Sequence, residues 1–143
     1  MATTTFKSLT DTTFDSVEGY RKAIDKATSL ELKQALQQRL SAREKTLDTL
    51  NQELRRQGDE LVTEGTVTGT AHRLWTDIAS MFEDGDEAAA ERVEEGEDYL
   101  AEKFEDALSD DDLSAEERTV VESVCAEIRE GERFGDVVAK EYD

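Results

Sequence analysis

The chain contains no proline, one cysteine, one histidine and one tryptophan, and only 6% of it is aromatic. Each scarcity excludes something. Without proline no helix is forced to kink or stop, and with few β-branched runs the composition favours long uninterrupted helices. The lone Cys125 excludes an internal disulfide and fits a reducing compartment. Beside Val124 on a helical pattern, it reads as a buried core thiol rather than a nucleophile. No apolar run approaches the roughly 20 residues of a membrane span. The opening MATTTFKSLTDTTF lacks the basic region and apolar stretch of a secretory signal. The expected location is therefore the cytoplasm.

Positive charge is also scarce. Lys+Arg number 17 against 36 Asp+Glu, a formal net charge of −19. Such a surface repels nucleic acid and anionic membranes, so neither is an expected partner. It also repels itself, and salt should relieve part of that stress. A plain solvated acidic surface accounts for this, as does adaptation to a saline interior. A melting temperature that falls as salt rises to molar levels would remove the second reading.

What is present is helical periodicity. Over about 5–27, Phe6, Leu9, Thr13, Val17, Tyr20, Ile24 and Ala27 form one stripe. Ser29 is placed to cap a second helix whose stripe runs Leu32, Leu36, Leu40, Arg43, Leu47, Leu50 and Leu54. Arg55 and Arg56 favour its C-terminal end, and Gly58 stops it. With only Thr28 and Ser29 between them, the two helices should be antiparallel neighbours. Residues 58–68 form the one long connection. A short amphipathic helix over 69–82 follows, with Leu74, Trp75, Ile78 and Phe82 on its apolar side. Gly85 breaks it, and Asp86 is expected to cap a third long helix over about 87–108. Ser114-Ala-Glu-Glu117 is a capping box for a fourth, striped by Val121, Val124, Ile128, Gly131 or Glu132, Gly135 and Val138. The expectation is an all-α, single domain over 1–143: a four-helix bundle of two antiparallel hairpins.

The segments DSVEGYRKA (15–23), LELKQALQQR (30–39), LRRQG (54–58), EGTVTGTAHRLWTDI (64–78) and GEDYLAEKFEDAL (96–108) resemble a bacterial four-helix-bundle family of unknown function. That family lies within the ferritin-like superfamily. The likeness covers nearly the whole chain, is most specific around His72 and Trp75, and is weakest in the fourth helix. It implies a ferritin-like bundle and almost nothing about activity. Ferritin-like relatives of known chemistry hold two iron or manganese ions through two Glu and two Glu-x-x-His pairs. Here the residue three before His72 is Gly69, so no Glu-x-x-His exists.

Something else must fill the interior. Arg43 is the one charge squarely on the leucine stripe, and glycine sits beside glutamate in three long helices: Glu18-Gly19, Gly96-Glu97 and Gly131-Glu132. Glycine inside a helix costs on the order of 1 kcal/mol relative to alanine, so each implies a packing reason. Room for a guanidinium is one. The sequence thus predicts a buried polar layer of Arg43 with Glu97, Glu18 and Glu132. Arginine suits this because its donor fork can satisfy two carboxylates. Counted outward from the turns, Glu18 mirrors to about position 39 and Glu97 to about 126. Tyr20 and Tyr99 are placed to hydrogen-bond to such a layer. Trp75 reads as an anchor for the short helix, its N–H partnered, with His72 capping or packing nearby.

Three function classes remain. The first is a non-enzymatic bundle with a scaffold, interaction or stress-related role, no catalytic residues and no cofactor. The second is an Fe- or Mn-binding oxidoreductase or metal-handling protein with an all-carboxylate site of Glu18, Glu97 and Glu132. The third uses the 69–82 helix as a detachable flap for a protein partner. A homodimer formed by exchange across the 58–68 connection is also compatible with the sequence.

Overall fold

A computed structural model of the chain describes residues 1–64 and 69–142, which hold six α-helices and no strand. Four are long: α1 (Thr4–Lys26), α2 (Leu30–Arg56), α5 (Asp86–Ser109) and α6 (Ala115–Glu141). Two are short, α3 (Thr70–Thr76) and α4 (Ile78–Met81), and a 3-10 turn over Phe82–Asp84 follows them. The part of the 58–68 connection at 65–68 lies outside the described residues.

Local chemistry sets the starts of three of the four long helices. Thr3 caps α1 by accepting from the Phe6 N–H, and Ser29 caps α2 by accepting from the Leu32 N–H. Ser114 and Glu117 form the capping box of α6 in both directions. α5 departs from the expected pattern: Gly85, at φ 104°, occupies its cap position and makes no side-chain cap. Asp86 instead lies in the first turn, where its carboxylate accepts from the Thr28 hydroxyl at 3.1 Å and the Ser29 N–H at 3.3 Å. A capping side chain was exchanged for a tie to the α1–α2 turn. The short helix is likewise not one unbroken piece. At Asp77 the backbone tightens to ψ −4°, and the Ser80 N–H bonds three residues back to Asp77.

α1 packs on α2 and α5 on α6, and the two hairpins meet through α2 with α6 and α1 with α5. The pair α3–α4 lies against both α1 and α5. The connection leaving α2 is pinned by Asn51, whose amide bonds the Val62 carbonyl at 3.1 Å and accepts from its N–H at 2.8 Å.

The interior is two apolar clusters. One gathers Phe6, Leu9, Leu50, Leu54, Leu100, Phe104, Val121, Val124 and Ile128. The other gathers Tyr20, Ala23, Leu32, Leu36, Trp75, Ile78, Ala90, Val93 and Val138. Along every long helix the change from one to the other falls at the same level: Ser16, Arg43, Glu97 and Gly131. A polar layer therefore crosses the molecule between two greasy halves.

Candidate functional site: a buried arginine and its carboxylates

Arg43 is fully buried and Glu97 is 1% exposed. Their heads meet in a two-point clasp, Nη1 to Oε1 and Nη2 to Oε2, both at 2.8 Å. Nη1 also donates to the Ser16 hydroxyl at 2.9 Å, and Nε donates to Glu127 Oε1 at 2.9 Å. The donors of one guanidinium thus reach α1, α5 and α6. Burial works against its charge, but Glu97 and Glu127 outweigh that and hold its pKa above the usual arginine value. The Ser16 hydroxyl passes the chain of bonds on to the Thr13 carbonyl at 2.7 Å. Thr10 and Thr13 likewise return their hydroxyls to α1 carbonyls, so α1 can bury them without loss.

Gly131 makes the clasp possible. A β-carbon there would stand 1.7 Å from Glu97 Oε2 and 2.4 Å from Arg43 Nη2. The other two glycines flanked by glutamate serve a different guest. A β-carbon on Gly19 would meet Trp75 Cε3 at 2.4 Å, and one on Gly96 would meet Trp75 Cζ2 at 2.5 Å. The indole is held between the bare backbones of α1 and α5.

The expected layer residues separate into two groups. Arg43 and Glu97 are together in the interior. Glu18 is half-exposed on α1, where it accepts from Arg21 Nη1 at 2.6 Å, and Arg21 reaches on to Glu44 at 3.0 Å. Glu132 is half-buried among Asp98, Glu105 and Asp136, and burial and those charges push its pKa up. Tyr20 lies with its ring 5.9 Å from the Arg43 guanidinium carbon, but its hydroxyl has no hydrogen-bond partner among the described residues. Burial, then Glu97, raises its pKa well above the ordinary phenol value. Tyr99 is half-buried under Lys103 rather than joined to the layer. The Trp75 N–H also lacks a partner, contrary to expectation: two glycine backbones grip the ring where no acceptor meets its nitrogen. His72 is half-buried in α3 and lines a recess of about 230 Å³ with Asp15, Glu18 and Lys22. Cys125 is half-buried at the edge of the core, and burial raises its thiol pKa.

Glu127 is the partner the sequence did not reveal. It takes Arg43 on one oxygen and Arg39 on the other, and Arg39 also bonds its backbone carbonyl at 3.1 Å. The signal was present: position 126 is where Glu97 mirrors across the α5–α6 turn. Glu127 stands next to it, one turn before Gly131.

A second buried carboxylate, Glu117, ties the start of α1 to the end of α2 and the start of α6. It accepts from the Thr3 hydroxyl at 2.7 Å, the Thr3 N–H at 3.0 Å, Gln57 at 3.0 Å and the Ser114 N–H at 3.1 Å. Burial raises its pKa, yet these donors outweigh it and leave the value below the usual glutamate range. Glu53, held by Arg56, is lowered too. Facing outward on α5 and α6, Glu94, Asp98 and Glu132 are raised by burial and by one another's neighbours. The signs predict a two-sided pH profile. As pH falls from 7, protonation of the raised groups first relieves repulsion and stability rises. Below the ordinary carboxylate range, Glu117 and Glu53 must take protons, their donors are stranded, and stability falls. Melting temperature against pH should show the maximum on the acid side, and Glu117→Gln should flatten the low-pH limb.

The family described as a domain of unknown function (DUF2383) matches residues 1–110. The chain belongs to the DUF2383 family. The match runs from α1 to the end of α5, so Ser16, Arg43, Trp75 and Glu97 lie inside it, while Glu127 and Gly131 come from beyond it. No curated protein and no solved structure matches the chain. The DUF2383 assignment carries no chemistry of its own. Among the described residues no group of three or more His, Cys, Asp or Glu is arranged to hold a metal ion, and none of the helices is long and apolar enough to cross a membrane. A di-metal centre of the ferritin-like kind does not fit: both oxygens of Glu97 are committed to Arg43, and Glu18 is paired with Arg21.

Proposed function

We propose that this DUF2383 protein is a non-enzymatic, ferritin-like four-helix bundle, with a scaffold, interaction or stress-related role in the cytoplasm. In this reading the layer of Arg43, Glu97 and Glu127 occupies the centre where metal-binding relatives place their ions. One observation carries it: a fully buried guanidinium clasped at two points by Glu97 and at a third by Glu127. A fixed positive charge there opposes a second one, because Coulomb repulsion is strong away from water. The layer also gives the fold something that leucine cannot. Apolar contacts tolerate sliding, whereas a two-point clasp is satisfied in one register only.

The second reading is a carboxylate-only iron or manganese site, favoured only by the number of acidic groups on α5 and α6. The purified protein, assayed for metal content and melted with and without Fe(II) and Mn(II), separates the two. The expected result is far less than one metal per chain and a shift under about 2 °C. Near-stoichiometric metal with a shift of many degrees would reverse the assignment.

A further inference from the structure

We infer that residues 69–85 form a hinged wedge that leaves the long helices as one unit, uncovering Tyr20 and admitting water to the Arg43–Glu97 pair. Three independent features of this segment point the same way. The first is its ends. Gly69 and Gly85 have φ of 105° and 104° with extended ψ, a backbone region open to glycine alone. Among the described residues nothing lies within 4 Å of where a β-carbon would stand at either position. The backbone, not crowding, asks for glycine there, as a hinge does.

The second feature is the absence of side-chain helix caps. Helices α1, α2 and α6 each begin with a side chain bonded to a backbone N–H, whereas α3, α4, the 3-10 turn and the start of α5 that follows them have no such cap. Its apolar anchors are Trp75 and Ile78, both essentially unexposed, with Ala71 beside them.

The third is a set of stranded polar atoms at its seam. Tyr20 Oη, Trp75 Nε1 and Arg92 Nε are buried with no hydrogen-bond partner among the described residues. Trp75 belongs to the wedge, and Tyr20 stacks on it with ring centroids 5.3 Å apart. Arg92 touches the wedge through Met81, Nη2 to Sδ at 3.8 Å. Closure leaves all three unsatisfied, and opening returns each to water. The clasp lies directly behind it, because Gly96, which faces the indole, adjoins Glu97, which faces Arg43.

Trp75 is the chain's single tryptophan, so its fluorescence reports the wedge alone. Native-state hydrogen exchange on the full chain should show amides 71–84 exchanging at least about tenfold faster than those of α2 and α5, with a weaker dependence on urea. Acrylamide quenching of Trp75 should rise at urea concentrations where the helical circular dichroism is still complete. Gly19→Ala, whose methyl collides with the ring, should give that quenched state without urea and with the helical signal kept. Exchange of 71–84 in step with α5, or quenching and helix loss that coincide in the native and Gly19→Ala chains, overturns the wedge.

Discussion

Arg43→Met should lower folding free energy by about 3–5 kcal/mol, because it leaves Glu97 buried with no counter-charge. The methionine nearly fills the arginine's volume, so the loss is electrostatic rather than a cavity. Glu97 cannot turn to water, since it is 1% exposed and backed by Gly131. Glu127 loses less: Arg39 still holds it at the edge of the interior. The double replacement Arg43→Met with Glu97→Leu should recover most of the loss, since an apolar pair of similar volume can match or exceed a buried ion pair. Urea unfolding of the four members of this cycle measures both terms. A single-variant loss below about 1 kcal/mol would mean the clasp is not buried as described.

Trp75→Ala should cost about 3 kcal/mol, the low end for removing a buried aromatic. The space left is unusual: its walls are the backbones of Gly19 and Gly96, which cannot lean inward to fill it. Free indole should therefore bind the variant and raise its melting temperature in a saturable way, with no effect on the native chain. A Trp75→Ala chain as stable as the native one, or one indifferent to indole, would remove the packing described for this side chain.

Much of this was legible because it is local. The caps at Ser29 and Ser114 need only three or four neighbouring residues, and both stand where the sequence puts them. Arg43 was conspicuous as the one charge on a leucine stripe, and the level at which it lies follows from counting turns. The glycines were harder. All three beside a glutamate suggested space for the guanidinium, yet only Gly131 provides it, while Gly19 and Gly96 make space for Trp75. That distinction depends on which groove the short segment enters, a relation between residues well separated along the chain. Glu127 was hidden for another reason. It reaches inward from the edge of α6 rather than standing on its apolar stripe, and with 36 acidic residues no single one draws the eye. Asp86 shows the limit of local rules, since a distant turn claimed its carboxylate before its own helix could.

Because the guanidinium interrupts the grease at one level on all four long helices, a change made near Phe104 and a change made near Leu36 have no shared side chain to argue over. Substitutions in the two compartments should add like independent tenants of one building, while any that move Ser16, Glu97 or Gly131 should be felt by both.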